Sequence, residues 1–243
     1  MAGPARRRIR LAMVGGGEGS FIGAAHRVAA RLDDQFELVA GAFSSDPARS
    51  LASGIAIGLP GDRCYGGFLQ MVAREAQHQD GADVVAILTP NHLHAPVATA
   101  CLQHGLDVIC EKPLAVSLAE ADALVQLSAA QQRLFTVTHT YAGYPAIRHA
   151  RELVASGALG ELRVVQVEYA QEWLATDLER TGHKQASWRT DPAQAGPAGA
   201  LGDIGTHAFH LLGYVGGVPV EEVCAEVHTF VPGRQRDDHV QAM

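Results

Sequence analysis

The stretch MVGGGEGSFIG, residues 13–23, decides the fold of this chain. It follows an apolar run, IRLAMV (9–14), and opens a helical pattern over 21–32. A strand, a glycine-rich loop and a helix in this order let the backbone approach a pyrophosphate, which the positive end of the helix faces. A purely structural turn stays open, because Ser20 stands where the third glycine belongs and Gly23 comes three residues later. The residues expected to contact a dinucleotide here are Gly15, Gly17, Ser20, Phe21 and Ile22.

Apolar runs and helical patterns alternate through the first part of the chain. The runs are rich in Val, Ile and Leu with little polar alternation, as in strands that are covered on both faces. Alternation of strands and helices predicts a doubly wound parallel sheet of the Rossmann type over residues 1–140. The predicted strands are 9–14, 36–43, 83–89, 107–110 and 134–139. The predicted helices are 21–32, 47–54, 66–79, 93–104 and 117–132.

The pattern changes after residue 140. A helix is expected from Pro145 to Gly157, since proline favours helix starts and glycine favours helix ends. Residues 161–173 and 220–230 alternate apolar and polar side chains, which predicts strands of an antiparallel sheet with one exposed face. Residues 175–199 are predicted to form a loop. Residues 141–243 are therefore expected to form an α/β domain with a predominantly antiparallel open sheet. The final residues, DDHVQAM, resemble the opening of a strand, so we expect this second domain to be incomplete.

Composition limits the possible functions. A net charge of −7 argues against a protein that binds nucleic acid or an anionic membrane. No window approaches the roughly 18 apolar residues of a transmembrane helix, and we expect a cytoplasmic protein. The four cysteines lack paired spacing, so neither a disulfide framework nor a zinc site is predicted.

The end of the second predicted strand bears on the choice of cofactor. A dinucleotide site usually has an acidic residue there, which binds the ribose hydroxyls. This chain has Ser44 and Ser45, and Asp46 before Pro47 is predicted to be a helix N-cap. Arg49 lies nearby and suits a 2′-phosphate, so NAD and NADP both remain open.

The next two strand ends carry further candidates, because ligands of open α/β sheets bind along the carboxyl edge. Thr89, Pro90 and Asn91 follow the third strand, and His94 and Glu111 are further predicted cofactor contacts. Asn91 and His92 have an alternative role, in a turn that caps the helix beginning near His94. Lys112, in the sequence CEKP, is predicted to line the crevice beside the cofactor; a surface lysine is the usual alternative, which the position at a strand end before proline makes weaker.

The segment GDIGTHAFHL, residues 202–211, places Asp203 and His207 four residues apart and so on one helical face. An imidazole is the natural general base for an alcohol proton near neutral pH, and a carboxylate orients it. Two alternatives stay open, a satisfied core histidine and a metal site made with His210. No metal is expected, because a compact HExxH-like signature is missing.

Four segments, GGGEGSFIG, TPNHLHAPVA, CEKPLAVS and GDIGTHAFHL, in this order resemble the Gfo/Idh/MocA oxidoreductases. The segments THTYAGYP, KQASWRTDP and VPGRQRDDH are most similar to a subgroup of sugar and cyclitol dehydrogenases. The resemblance covers essentially the whole chain. It implies a Rossmann domain, an α/β domain with a large open sheet, and a catalytic set of Lys112, Asp203 and His207.

The resemblance also implies a function. We expect hydride transfer between NAD or NADP and a hydroxyl of a sugar, anhydrosugar or cyclitol, in a protein that forms homo-oligomers when full length. The residues expected to bind the substrate are Tyr141, Lys184, Trp188 and Arg189. The chief alternative is a non-catalytic NAD(P)-binding or sensor protein with the same fold.

Overall fold

The computed structural model describes residues 7–243, so the first six residues of the predicted amino-terminal domain lie outside the described part. The chain divides into two compact units. The first contains Leu93–Val137 and the described residues up to Thr89, and the second contains Pro90–His92 and Thr138–Met243.

The first unit is built on a parallel sheet of five strands with the order β2-β1-β3-β4-β5. The strands are β1 (Ile9–Gly15), β2 (Phe36–Ala42), β3 (Val84–Leu88), β4 (Asp107–Cys110) and β5 (Phe135–Val137). The helices between them are α1 (Phe21–Leu32), α2 (Pro47–Ala56), α3 (Phe68–Glu75), α4 (His94–Gln103) and α5 (Leu118–Gln131). The doubly wound parallel fold expected from the alternating pattern is confirmed.

The strand order creates a switch point between β1 and β3. The chain leaves β1 towards β2 on one side, and all later strands add on the other side. In open α/β sheets, ligands bind outside the carboxyl ends of the strands at such a point. The last pair of the β1–β3 ladder is Gly15 and Leu88, so the glycine loop begins at the switch point.

The sheet separates two apolar clusters, and β1 shows why. Leu11 and Met13 face one cluster, whereas Ala12 and Val14 face the other, since successive side chains of a strand point to opposite faces. All four side chains are buried. A strand covered on both faces therefore has the unbroken apolar sequence from which it was predicted.

A buried carboxylate stabilises the edge of the first unit. Glu75 is only 1% exposed. Its Oε1 accepts from Arg63 Nε at 2.8 Å and from the Tyr65 hydroxyl at 2.7 Å. Its Oε2 accepts from an Arg63 guanidinium nitrogen at 2.5 Å and from the Ala82 amide at 3.1 Å. Because both oxygens are hydrogen-bonded, the charge is tolerated in the interior.

The second unit combines helices with a small antiparallel sheet of two strands. The helix predicted after residue 140 is confirmed, and Gly157 takes a positive φ of 72° just after its end. The elements are α6 (Pro145–Ala155), α7 (Lys184–Thr190), α8 (Pro192–Ala195), a π-helical turn (Leu201–Gly205), α9 (Thr206–Gly216), β6 (Ala225–His228) and β7 (His239–Ala242).

Three predictions for this unit need correction. The strand predicted over 161–173 is wrong, because no described segment pairs with it, although Val165, Val167 and Tyr169 do alternate as the less exposed side chains. Of 220–230, only Ala225–His228 is a strand. The predicted loop over 175–199 contains α7 and α8, which are capped by the His183 and Asp191 side chains.

Two further observations concern the whole described chain. None of the helices within residues 7–243 combines the length and apolarity that a membrane span requires. The four cysteines are free thiols, as their spacing predicts. Burial raises the pKa of the Cys101 thiol to about 12.

Candidate active site

The glycine loop lies between β1 and α1, and its first three glycines leave no room for side chains. Gly15 and Gly16 have φ values of +81° and +73°, a region that residues with a Cβ rarely adopt. A Cβ on Gly15 would lie 2.7 Å from the Leu88 carbonyl oxygen, and a Cβ on Gly17 would lie 2.7 Å from the Phe43 carbonyl oxygen. A loop of this geometry gives a pyrophosphate close access to the backbone.

The sequence motif places its third glycine, which allows the helix to pack closely on the loop, at the position of Ser20. In the structure, Gly23 has this function. Gly23 is buried in α1, and a Cβ there would clash with the backbone of Gly16. It is therefore the glycine that permits close packing of the helix on the loop. Ser20 is the N-cap of α1, and its hydroxyl accepts from the Gly23 amide at 3.2 Å. Phe21, the first helical residue, is 85% exposed.

The loop is also held by residues that sequence reasoning missed. Ser53 Oγ accepts from the Glu18 amide at 3.1 Å, and an Arg27 guanidinium nitrogen donates to the Gly16 carbonyl at 2.8 Å. Neither residue lies in the motif, so only the fold brings them to it. Ile22 packs against the apolar cluster around Phe43.

The end of β2 has the predicted cap. Asp46 Oδ1 accepts from the amides of Ala48 and Arg49 at 2.9 and 3.2 Å, so its carboxylate serves α2. Ser45 and Arg49 are exposed, and Ser44 Oγ accepts from the Asp46 amide. These three side chains are the candidates for the adenosine ribose.

The end of β3 supplies a buried polar atom. Thr89 Oγ1 is buried and has no hydrogen-bond partner among the described residues, which suits a ligand that provides one. In the second unit, Asn91 donates to the Ala195 carbonyl at 3.0 Å, and His92 Nδ1 lies 3.0 Å from the Gln194 carbonyl. The turn of the alternative interpretation is present, because Asn91–Leu93 form a 3-10 turn directly before α4, but neither side chain caps the helix.

The end of β4 carries Glu111 and Lys112. The Glu111 amide donates to the Ile87 carbonyl at 3.0 Å, which continues the ladder, and Glu111 Oε1 lies 2.8 Å from His26 Nε2. Lys112 is half-buried, and the Lys112–Pro113 peptide bond is cis.

His94 begins α4 and is completely buried. Its Nδ1 lies 2.7 Å from the Pro113 carbonyl oxygen, and its Nε2 lies 3.0 Å from the Thr89 carbonyl oxygen. Burial, which disfavours the charged form, lowers the pKa of this imidazole. Both ring nitrogens therefore face backbone oxygens within the first unit.

In the second unit, aromatic rings surround His207. The Tyr141 ring meets the His207 ring edge-on, with 4.7 Å between centroids, and the Tyr169 and His139 rings lie 6.1 and 6.2 Å away. The hydroxyls of Tyr141 and Tyr169 are 2.5 Å apart. His139 stacks on His210 at 3.9 Å. Tyr169 and His139 were missed, although the alternation over 161–173 places Tyr169 on the less exposed face.

Asp203 lies in the π-helical turn before α9, so the α-helical spacing used to pair it with His207 does not describe this segment. Its Oδ2 lies 3.4 Å from Arg189 Nε. The Arg189 guanidinium lies over the Trp188 ring at 4.2 Å. Lys184 is exposed at the first position of α7.

A cavity of about 260 Å³ in the second unit adjoins Asp203 and Arg189. Trp173 and Arg236 also line it. Arg236 is buried, donates to the Arg189 carbonyl, and has an Nε without a partner among the described residues. No three His, Cys, Asp or Glu side chains of residues 7–243 are arranged to hold a metal ion.

The dinucleotide fits the residues of the first unit. A Cβ at Gly15, Gly16 or Gly17 would clash with neighbouring atoms, the buried Thr89 hydroxyl oxygen lacks a partner among the described residues, and α1 directs its amino end at the loop. These features are those that bound phosphates and riboses require.

Several known proteins and solved structures are similar to the chain. An uncharacterized oxidoreductase, YfiI of Bacillus subtilis, is 36% identical over 93% of this chain and 58% of its own length. Levoglucosan dehydrogenase of Pseudarthrobacter phenanthrenivorans is 36% identical over 62% of this chain and 37% of its own length. An inositol dehydrogenase homolog of Azotobacter vinelandii complexed with NAD+ is 38% identical, with a TM-score of 0.94 over 97% of this chain and 61% of that chain.

The same homolog has also been solved complexed with NADH and myo-inositol, with 37% identity and a TM-score of 0.90 over 97% of this chain and 60% of that chain. The present chain thus spans less than two thirds of the length of these relatives.

Two family models match the chain. Residues 9–139 match the model described as the oxidoreductase family, NAD-binding Rossmann fold, and residues 147–243 match the GFO/IDH/MocA C-terminal domain. Together they cover most of the chain, with the NAD-binding Rossmann domain first. The chain therefore belongs to the Gfo/Idh/MocA family of oxidoreductases.

Proposed function

We propose that the protein is an NAD-dependent dehydrogenase that transfers a hydride between the nicotinamide and a hydroxyl-bearing carbon of a cyclitol, sugar or anhydrosugar. The observation that carries the proposal is the edge of the parallel sheet. A loop whose first three glycines leave no room for a Cβ lies at the switch point after β1, and Lys112 follows β4, two strands along the same sheet. The substrates named for two relatives, levoglucosan and myo-inositol, support a compound with several hydroxyl groups.

The cofactor supplies the hydride acceptor when it is bound. The residues that would hold it are the loop glycines at the pyrophosphate, Ser44, Ser45 and Arg49 at the adenosine ribose, and Thr89 with Glu111 near the nicotinamide end. Phe21, largely exposed at the start of α1, offers an apolar surface beside the loop. NAD is favoured over NADP because the family model describes an NAD-binding fold.

Lys112 is assigned to the substrate oxygen. An ammonium that donates a hydrogen bond to this oxygen stabilises the alkoxide character that develops as the hydride leaves the carbon. The half-buried position of Lys112 limits solvent screening of its charge.

We assign His207 as the general base that accepts the proton of the substrate hydroxyl. We assign Asp203 to orient the imidazole or an adjacent substrate hydroxyl. The aromatic rings of Tyr141 and Tyr169 restrict the orientation of the His207 ring, as a general base requires. His207 would take the proton of the substrate hydroxyl, and a bound nicotinamide would supply the acceptor for the hydride, so that the carbinol would become a carbonyl.

Tyr141, Trp188, Arg189 and Lys184 are assigned to substrate binding. Tyr141 contacts His207 and Arg189 contacts Asp203, so two of them lie directly beside predicted catalytic residues. Aromatic faces and a few placed polar groups are the usual lining of a small-molecule site.

A substrate panel tests the proposal. Cyclitols, sugars and anhydrosugars are offered with NAD and separately with NADP, and formation of the reduced nicotinamide is followed by absorbance. We expect turnover with at least one polyol and a preference for NAD. Lys112→Met should lower kcat by about 100- to 1,000-fold, the usual loss on removing one such donor, with NADH affinity nearly unchanged. NADH binding without turnover across the panel would instead favour a non-catalytic sensor.

A further inference from the structure

His94 lies between two strand ends of the first unit, with each ring nitrogen near a backbone carbonyl oxygen. One of its contacts is the carbonyl of Pro113, the residue that follows Lys112, and the other is the carbonyl of Thr89, which follows β3. The side chain is completely buried, so no atom of it is open to a ligand. It touches instead the backbone beside two residues that the proposed function uses.

We propose that His94 is a positioning residue that fixes the turn carrying Lys112 against the start of α4. This inference rests on the proposed function for its catalytic consequence, although the contacts themselves do not depend on it. It replaces the direct contact with the cofactor that the sequence suggested for His94.

The protonation of the imidazole decides which of the two carbonyl oxygens receives a hydrogen bond from His94. A neutral imidazole carries one N–H, and burial favours the neutral ring, so only one carbonyl receives a hydrogen bond. We assign the proton to Nδ1, because its distance of 2.7 Å to the Pro113 oxygen is the shorter of the two. The hydrogen bond then holds the carbonyl directly after Lys112. Displacement of a catalytic group by about 1 Å lowers turnover by about 100-fold.

Two substitutions separate the contacts. His94→Asn retains an amide N–H near the position of Nδ1, whereas His94→Gln retains one near the position of Nε2. His104→Gln is the matched control, because His104 follows the carboxyl end of the same helix and its Nδ1 lies 2.9 Å from the Ala100 carbonyl. Each variant is measured for amide hydrogen exchange in residues 110–117, for NADH affinity and for kcat.

We expect His94→Asn and His104→Gln to resemble the wild type. In His94→Gln, exchange in residues 110–117 should be about fivefold faster, since one hydrogen bond is lost. Its kcat should fall by about 10- to 100-fold, with NADH affinity within about threefold of the wild type. Equal behaviour of the Asn and Gln variants, or unchanged exchange in the Gln variant, would overturn the proposal.

Nitrogen-15 NMR of the wild-type His94 ring provides a test that requires no variant. A protonated Nδ1 supports the link to Pro113, and an unprotonated Nδ1 at neutral pH refutes it. If the wild type oxidises no polyol, the proposed function fails, and the exchange and NMR results still decide the role of His94.

Discussion

Glu75 and Asp203 are both carboxylates paired with arginine, yet their surroundings differ. Glu75 is buried and accepts hydrogen bonds from Arg63, Tyr65 and the Ala82 amide. Asp203 keeps 27% of its side chain exposed, and its Oδ2 lies 3.4 Å from Arg189 Nε. A carboxylate enclosed by short hydrogen bonds stabilises the fold, whereas the partly exposed Asp203, beside a cavity, is the carboxylate proposed to act on the substrate.

Glu75→Gln should have the largest effect on stability. The substitution removes the charge that compensates Arg63, whose side chain is only 13% exposed, and breaking a buried pair costs about 3–5 kcal/mol. Urea denaturation should show this loss in the free energy of unfolding. Glu37→Gln, at an exposed position of β2, is the control and should change it by less than about 0.5 kcal/mol. If Glu75→Gln lowered the free energy of unfolding only slightly, Glu75 would not be the stabilising carboxylate that the comparison with Asp203 requires.

Asp203→Asn should, in contrast to Glu75→Gln, lower the activity and leave the stability nearly unchanged. We expect kcat to fall by about 10- to 100-fold, as for loss of a group that assists proton transfer. The midpoint of thermal unfolding should change little, because the side chain is partly exposed. Asp122→Asn on the exposed side of α5 serves as the control for both measurements. A large fall in thermal stability with full activity would instead make Asp203 a structural residue.

Substitution of Tyr65 should have the smallest effect on the free energy of unfolding, and this effect should depend on pH. Burial, helped by the hydrogen bond to Glu75, raises the pKa of Tyr65 to about 12, above the ordinary value of 10. The folded state therefore retains the phenol proton longer than the unfolded state does. The resulting stability is complete below about pH 10 and is lost as the pH rises towards 12.

Tyr65→Phe should therefore lower the free energy of unfolding by about 1 kcal/mol at neutral pH, because Glu75 loses one donor. The variant should also show a flatter decline in stability between about pH 10 and 12. Urea denaturation at several pH values measures both effects. An identical decline in the two proteins would show that Tyr65 does not titrate in this range.

The first unit was predictable because local pattern and tertiary structure agree there. An unbroken apolar run such as 9–14 requires cover on both faces, and the glycines after it require an open turn. The contacts of Ser53, Arg27 and Glu75 were not predictable, because each joins elements that are distant in the sequence. Gly23 shows why a motif with fixed spacing can assign the wrong residue. The loop of this chain is longer than the motif, so the glycine on which the helix packs lies three residues later than the motif predicts.

The second unit was less predictable because a strand depends on a neighbour. Residues 161–173 have the alternation of a strand, yet no described strand pairs with them through a backbone ladder. The π-helical turn at Leu201–Gly205 likewise departs from the 3.6-residue period on which the pairing of Asp203 and His207 was based. The residue types of the candidate site could be identified from the sequence, whereas Tyr169 and His139 required coordinates.

The origin of the hydrogen on the reduced nicotinamide tests the central claim most directly. The polyol with the highest turnover is labelled with deuterium at the carbon that becomes a carbonyl, and the NADH formed is analysed by mass spectrometry. Direct transfer predicts deuterium on the nicotinamide ring. Unlabelled NADH with the deuterium in water, or no NADH with any polyol, would contradict the account.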